Sequence, residues 1–187
     1  MNFMGGNSLK AERKNVDYTN YEEDIYVGYR YYDSFGKDVS YPFGYGLSYT
    51  TFEYGKADVT EKNGVFTVKT TVKNTGMVAG KEVVQLYVAA PNSKAANKPE
   101  KELRSFAKTN VLEPGEAAEV TMTFKASDLA SYDTDGAQWK VDAGTYEVLI
   151  AASATDIRQK ATINVKAATQ KLHDVMKPSV ELNLLKR

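Results

Sequence analysis

Short stretches of alternating apolar and polar residues, separated by turn residues, fill the chain from residue 51 to residue 165. Alternation at every second position places one face of each stretch in a core. The inward-facing sets are Phe66, Val68, Thr70 and Val72; Val84, Leu86 and Val88; Val120, Met122 and Phe124; Tyr146, Val148 and Ile150; and Ala161, Ile163 and Val165. About seven short strands at this regular spacing predict an all-β fold, an antiparallel β-sandwich.

Turn residues predict where these strands end. Residues 52–59 are predicted as one strand and residues 103–111 as one strand or two. Ser127 is predicted to cap a short helical turn. Tyr146 follows a turn directly, which predicts a tyrosine corner at the start of the penultimate strand. The predicted turns are Asn74-Thr75-Gly76, Glu113-Pro114-Gly115-Glu116, Asp133 to Gly136, and Asp142-Ala143-Gly144.

The first 50 residues lack this alternation. Residues 1–20 are polar and are predicted as a surface loop. Residues 24–32 are rich in aromatic and β-branched residues, which predicts a strand or a strand leading into a short helix. Residues 41–49 hold Pro42, Gly44 and Gly46, which exclude a long regular element. This aromatic segment is therefore predicted as an irregular connector whose rings hold a loop between two bodies.

The last residues form a separate segment. Residues 171–187 carry many large apolar side chains, while Pro178 breaks any continuous helix. We therefore expect an extension that docks on the rest of the chain. The pattern divides the chain into residues 1–50, residues 51–167 as the sandwich, and residues 168–187 as a docking tail.

Composition excludes several classes of protein. Among the 187 residues, 24 Lys and Arg balance 24 Asp and Glu, so no basic surface indicates nucleic acid or an anionic membrane as a partner. The chain has no cysteine, which excludes disulfides and thiolate metal sites. No apolar run approaches the roughly 20 residues that span a bilayer. Residues 1–10 do not have the pattern of a signal peptide.

Two groups of motifs resemble a known family, the family-three glycoside hydrolases of the β-glucosidase and β-xylosidase type. The run Tyr26-Val-Gly-Tyr-Arg-Tyr-Tyr-Asp33, followed by Tyr41-Pro-Phe-Gly-Tyr-Gly-Leu-Ser-Tyr-Thr-Thr-Phe52, resembles the closing segment of their α/β sandwich domain. Residues 72–158 resemble their fibronectin type III-like domain. The motifs of this second group are Val72-Lys-Asn-Thr-Gly76, Gly80-Lys-Glu-Val-Val-Gln-Leu-Tyr-Val88, Lys101-Glu-Leu-Arg-Ser-Phe106, Leu112-Glu-Pro-Gly115, Gly144-Thr-Tyr-Glu-Val148 and Ser153-Ala-Thr-Asp-Ile-Arg158.

The resemblance implies an immunoglobulin-like sandwich of fibronectin type III character after an irregular remnant of the α/β domain. Family members carry an aspartate nucleophile in an N-terminal barrel and often an acid/base glutamate in the α/β domain. Trp139, the only tryptophan, does not match the nucleophile motif, and the resemblance assigns no catalytic residue, cofactor or metal here. It implies a non-catalytic structural or interaction module whose partner is the barrel and α/β domain, in a bacterial periplasmic or secreted parent. The implied domain-junction residues are Tyr26, Tyr29, Arg30, Tyr31, Pro42, Phe43, Gly44, Tyr45 and Gly46.

Two alternative functions stay open. In the first, the chain is one part of a split β-glucosidase that is active only with a barrel-bearing partner. In the second, it is a carbohydrate-binding module that uses Tyr87, Tyr132 and Trp139. Other tempting groups are interpreted plainly. They are Glu22-Glu23-Asp24 as a solvated acidic run, Asp133 to Gly136 as a turn without the full ligand set of a calcium loop, His173 as a surface or packing residue, and Arg30 as a partner of Asp33 or Asp24.

Overall fold

Two antiparallel sheets pack face to face in the computed structural model, which describes residues 21–173 and 181–187. The first sheet contains β3 (Val65–Asn74), with β6 (Ala117–Lys125) on one edge and both β1 (Phe52–Tyr54) and β2 (Asp58–Lys62) on the other. The second sheet has the order β10 (Ile157–Val165), β9 (Gly144–Ala151), β4 (Val83–Ala89) and β5 (Glu102–Lys108). This arrangement confirms the predicted antiparallel sandwich.

The core lies between the two sheets and consists of the alternating residues. The rings of Phe66 and Phe124 stack across neighbouring strands with centroids 5.0 Å apart. Val68, Leu86 and Val148 are completely buried. All the predicted inward-facing residues are buried apart from Ala161, which is partly buried against the core. Burial of apolar surface, at about 25 cal/mol per Å², therefore stabilises the sandwich in a chain without disulfides.

The first predicted strand is wrong in one respect, because residues 52–59 form two strands. Between β1 and β2 the backbone leaves the regular ladder, and the Gly55 N–H donates to the Thr71 carbonyl oxygen at 2.7 Å. The buried Thr70 hydroxyl donates to the Gly55 carbonyl oxygen at 2.8 Å. These bonds satisfy the polar groups of the kink, while Ala57 turns its side chain into the core.

The region of residues 103–111 forms a single strand, β5, and then leaves the sheet. Two hydrogen bonds between Thr109 and Glu82 end the strand. The Thr109 N–H donates to the Glu82 carbonyl oxygen, and the Glu82 N–H donates to the Thr109 hydroxyl. An isolated bridge between Leu112 and Gly80 follows. The predicted tyrosine corner is confirmed, because the buried Tyr146 hydroxyl donates to the Asp142 carbonyl oxygen at 2.9 Å.

A small third sheet was not predicted as a separate element. It has the order β11 (Ala168–Lys171), β8 (Gln138–Val141) and β7 (Ser131–Asp133), so the segment predicted as a docking tail begins with a strand. A 3₁₀ helix at Ala126–Leu129 precedes it. Ser127 lies inside this helix, so the prediction that it caps the turn is wrong. Lys125 is the N-cap residue, and its N–H donates to the Asp128 carboxylate at 2.8 Å.

The N-terminal aromatic region contains one short helix, α1 (Tyr29–Ser34). Residues 24–28 form no strand, so only the helical part of the prediction for residues 24–32 is correct. Gly28 precedes the helix with φ 57°, a backbone conformation that breaks a strand and suits glycine. Residues 41–49 contain neither helix nor strand, as predicted. The predictions for residues 1–20 and for Pro178 concern residues outside the described part of the chain.

Candidate functional site

The second sheet carries buried residues on both of its faces. In β4, Gln85 and Tyr87 point away from the core and are nevertheless buried. Leu149 and Ala151 of β9 are buried on the same outer face and form a cluster with Tyr87 and Ala154. The outer face of a two-sheet sandwich ordinarily faces solvent. Here residues 26–46 cover the part of this face around Tyr87, and we call this segment the aromatic junction.

Tyr29 is the main inner contact of the aromatic junction. Its ring meets the Tyr87 ring edge to face with centroids 5.7 Å apart and lies 5.1 Å from the Phe43 ring. Its hydroxyl accepts a hydrogen bond from the Leu103 N–H at 2.8 Å. An aromatic body on an apolar cluster with a bonded polar tip suits a tyrosine at this position.

Gln85 connects the junction to the sheet. Its side-chain amide donates to the carbonyl oxygens of Ala152 at 2.9 Å and Gly44 at 3.4 Å, and its oxygen accepts from the Tyr87 hydroxyl at 2.6 Å. Burial raises the pKa of Tyr87, so its hydroxyl remains a proton donor. Gly44 has φ 79°, and a Cβ atom added there would overlap the Gln85 amide. Residue 44 therefore favours glycine both because other residues rarely adopt this φ and because a Cβ atom would displace the Gln85 amide.

Two further bonds fasten the backbone of the connector. The Ala154 N–H donates to the Phe43 carbonyl oxygen at 2.9 Å. At the far end, the Thr50 hydroxyl donates to the side-chain oxygen of the fully buried Asn74 at 2.6 Å. The Asn74 amide nitrogen donates to the carbonyl oxygens of Val78 and Leu112, each at 2.8 Å. The connector is thus fixed to the sandwich at both ends.

Ion pairs attach helix α1 to the start of β5. Lys101 Nζ lies 2.8 Å from Asp33 Oδ2, and Arg30 Nε lies 3.5 Å from Glu102 Oε1. The prediction that Arg30 pairs with Asp33 or Asp24 is therefore wrong. Helix α1 lies alongside residues 100–103, so Arg30 and Asp33 each face a charged residue of another segment. Asp33 Oδ2 forms no hydrogen bond among the described residues, so its contact with Lys101 is an ion pair of off-axis geometry.

The end of the tail packs against the same region. The Arg187 side chain, which is 12% exposed, donates to Ser34 O at 3.1 Å, Ser93 Oγ at 3.0 Å and Lys98 O at 3.2 Å. It also pairs with Glu100 at 3.1 Å. Asn97 Oδ1 accepts from both the Arg187 N–H and the Tyr26 hydroxyl. We call these contacts the Arg187 latch. Through them the described end of the tail lies against residues 93–100 and α1.

Tyr26 and Tyr31 pack within the junction. Tyr26 is buried and meets Phe35 edge to face at 5.2 Å, and the Tyr31 ring lies 5.0 Å from the same Phe35. Burial raises the pKa of Tyr26, so its hydroxyl remains the donor to Asn97. These rings join α1 to the turn before it.

The opposite side of the connector faces solvent. Leu47 is 91% exposed and Tyr49 is 97% exposed, while the rings of Tyr41 and Tyr45 lie 5.2 Å apart and are also exposed. Pro42 accepts the Tyr45 N–H in a turn, and Gly46 has open space around it. The junction therefore has a packed inner side and an exposed apolar outer side. Exposed apolar surface of this kind marks sites of association.

The other candidate groups have plain roles. Glu22, Glu23 and Asp24 are exposed. The Asp133 carboxylate accepts hydrogen bonds from the Gln138 side chain and the Gly136 N–H, which lower its pKa, as expected for a turn. His173 is exposed. Across residues 21–173 and 181–187 no three His, Asp or Glu side chains are grouped to hold a metal ion.

The three aromatic residues considered for sugar binding do not form a platform. Tyr87 is completely buried, so its assignment to an exposed sugar-binding surface is wrong. Tyr132 and Trp139 face each other across β7 and β8, with ring planes inclined by 64°. A flat sugar face is ordinarily bound on parallel, exposed rings, whereas these two meet edge to face.

In the described part of the chain no helix has the length and apolarity needed to cross a membrane.

Sequence reasoning missed Gln85, Asn97 and Arg187. A signal for Gln85 is present, because the run Val83-Val-Gln-Leu-Tyr-Val88 has almost no polar alternation, which is typical of a strand buried on both faces. No comparable local signal indicates Asn97 or Arg187, since their partners are distant in the sequence.

Comparison with known proteins shows which family the chain resembles. The fibronectin type III-like domain family matches residues 82–154. The thermostable β-glucosidase B of Acetivibrio thermocellus is 42% identical over 158 residues, which cover 82% of this chain and 21% of the relative. β-Glucosidase BoGH3A of Bacteroides ovatus is 44% identical over 161 residues, covering 84% of this chain and 20% of the relative.

Solved structures agree. β-Glucosidase 3B from Thermotoga neapolitana, in complex with glycerol, matches with a TM-score of 0.77 and 49% identity over 81% of this chain and 21% of that chain. A β-glucosidase from Paenibacillus barengoltzii matches with a TM-score of 0.77 and 34% identity over 87% of this chain and 19% of that one. The chain spans about a fifth of the length of these relatives. It therefore corresponds to the C-terminal region of a family-three glycoside hydrolase and carries the fibronectin type III-like domain of that family.

Proposed function

We propose that the chain is the non-catalytic C-terminal structural module of a β-glycosidase, and that the aromatic junction docks it onto the α/β domain. One observation carries this proposal: the connector is fastened to the sandwich at both ends, yet it presents Tyr41, Tyr45, Leu47 and Tyr49 to solvent. Ordering exposed rings is unfavourable unless a partner covers them. The partner is the barrel and α/β domain of the parent enzyme.

The proposal assigns no catalytic carboxylate to the chain. A retaining glycosidase needs two carboxyl groups about 5–5.5 Å apart that flank the scissile bond. Asp33 and Glu102, which lie where helix α1 meets β5, are each paired with a basic side chain. Within this proposal, residues 1–50 are the end of the α/β domain with its connector, residues 51–167 the sandwich, and residues 168–187 a tail that locks the two together.

Association with the part of a relative that this chain does not match tests the proposal. The remaining domains of the Thermotoga neapolitana enzyme, expressed without the region that matches this chain, are mixed with the chain and separated by gel filtration. We expect co-elution, and loss of co-elution when Tyr41, Leu47 and Tyr49 are all changed to serine. Tyr132→Ser is the matched control, because Tyr132 lies on the third sheet.

Hydrolysis of an aryl β-glucoside separates the structural role from the split-enzyme alternative. The chain alone is expected to release no product. Activity that appears only in the mixture supports the split enzyme, whereas co-elution with unchanged activity supports a purely structural module. If the unaltered chain elutes alone at all concentrations, the proposed docking is wrong.

A further inference from the structure

Phe106 lies in the middle of the edge strand β5, and its side chain is 68% exposed. It is paired with Gln85 of β4 in the antiparallel register. Residues directly opposite each other in an antiparallel pair share one face of the sheet. Because Gln85 lies on the outer face beneath Gly44, the Phe106 ring lies on the outer face immediately beside the aromatic junction.

The aromatic junction does not cover Phe106. Leu103, on the same face of β5, is partly buried against Tyr29 and Tyr87. Phe106 and Val83 stay exposed further along the same two strands. On the outer face, β4 and β5 are therefore covered around Tyr87 and Leu103 and exposed at Val83 and Phe106.

The exposed part of this face lies next to the connector. Gly44 contacts Gln85, the residue paired with Phe106, and its chain neighbours Phe43 and Tyr45 are both exposed. The exposed rings of Phe43, Tyr45 and Phe106 therefore flank one contact between the connector and the sheet. A large aromatic side chain at the centre of such a surface is typical of a binding anchor.

We infer that Phe106 is the central anchor of the surface that binds the α/β domain, and that Val83 lies at its rim. This inference rests on the proposed function and adds a contact on the sandwich itself. The occupant is argued from two observations. The surface continues the exposed side of the connector, and the relatives carry this region in one chain about five times as long, so the same chain supplies the covering domain.

The edge position of β5 strengthens the inference. An exposed edge strand with a large apolar residue invites unwanted pairing, and proteins ordinarily protect it with charges or cover it. Lys108 lies on one side of Phe106 and an irregularity in the pairing of β4 with β5 lies on the other, but the Phe106 ring itself stays exposed. A domain that covers β5 prevents such pairing.

A chimera tests the inference. Residues 21–187 of this chain replace the matching region of the Thermotoga neapolitana β-glucosidase 3B, and hydroxyl-radical footprinting compares Phe106 in the active chimera and in the free chain. We expect oxidation of Phe106 to fall by about fivefold or more, as for an anchor that loses its water. Trp139, which is 43% exposed on the third sheet, is the internal control and is expected to remain within about twofold.

The footprint separates the two proposals. Protection of Tyr41 and Tyr45 without protection of Phe106 contradicts the inference and leaves the proposed function standing. Absence of protection at all three rings contradicts the proposed function as well. Protection of Phe106 in the free chain that disappears on dilution identifies a second copy as the occupant and also contradicts the inference.

A chimera that fails to fold is replaced by co-expression of the chain with the tagged remaining domains. Phe106→Ser is then expected to reduce the recovered complex by about tenfold or more, and Trp139→Ser to leave it unchanged. Equal recovery with both variants contradicts the inference, whereas failure to recover the unaltered chain contradicts the proposed function.

Discussion

The Lys101 ammonium lies 2.8 Å from the Asp33 carboxylate, and their side chains are only 10% and 13% exposed. This pair joins helix α1 of the aromatic junction to the start of β5. Removing one partner of a buried pair leaves an uncompensated charge, which costs about 3–5 kcal/mol. Replacing both with apolar residues of similar volume is often neutral. The pair therefore gives the junction its orientation on the sheet more than it gives net stability.

A double-mutant cycle tests this account. Asp33→Leu and Lys101→Met are each expected to lower the free energy of unfolding by about 3 kcal/mol, and the double variant to lower it by less than either single change. Urea unfolding provides the measurement. Lys69→Met, at an exposed pair with Glu119, is the control and is expected to leave the curve nearly unchanged. Additive losses in the double variant contradict this prediction.

Gly44→Ala is expected to destabilise the fold by about 1–3 kcal/mol, because it combines a strained backbone with a steric overlap. Two other glycines separate these causes. Gly36 has φ 58° with open space around it, and Gly46 has neither a positive φ nor a close neighbour. The expected order of loss in thermal unfolding is Gly44→Ala, then Gly36→Ala, then Gly46→Ala. An effect of Gly44→Ala no larger than that of Gly36→Ala excludes the overlap with Gln85.

Glu82 gives a prediction about pH. Burial raises the pKa of the Glu82 carboxyl, and the Tyr54 hydroxyl, which donates to it at 2.7 Å, only partly opposes this rise. A carboxyl with a raised pKa in the folded state binds its proton more tightly than in the unfolded chain. Its contribution to stability is therefore complete at low pH and is lost as the pH rises through the folded pKa.

Glu82→Gln keeps an acceptor for Tyr54 and removes the half-buried charge. We expect its melting temperature to exceed that of the unaltered protein at neutral pH, and this gain to vanish below about pH 4, where the carboxyl is protonated in both states. Tyr54→Phe is expected to act in the opposite direction, because it removes the bond that stabilises the carboxylate. A gain from Glu82→Gln that is equal at both pH values contradicts the assignment.

The Arg187 latch predicts a local effect. Arg187→Ala removes bonds to Ser34, Ser93 and Lys98 together with the pair to Glu100. We expect faster amide hydrogen exchange in residues 92–100 and in α1, while β9 stays protected. The expected loss of stability is about 1–3 kcal/mol, the cost of leaving buried acceptors unpaired. Lys186→Ala, at an exposed position, is the control, and equal exchange in both variants contradicts the latch.

The sandwich could be predicted from the sequence because its information is local. Val68, Val120 and Val148 each lie in an alternating stretch, and Asp142 and Tyr146 are four residues apart, so period and spacing identify them. The kink after Tyr54 could not be predicted, because it depends on the Thr70 side chain of another strand. Gly44 lies in a recognisable motif, but its partner Gln85 is 41 residues away and could not be predicted. The Asp33–Lys101 pair was missed for the same reason.

The first and last described segments of the chain meet at one place, where the Leu185 N–H donates to the Glu22 carbonyl oxygen at 2.7 Å. A short linker between these segments would therefore close the chain without distorting it. The hairpin at Asn63 and Gly64, both with positive φ, lies between β2 and β3 in the first sheet. Opening the backbone there gives a circular permutant that retains every strand, because closely spaced ends make such rearrangements tolerable.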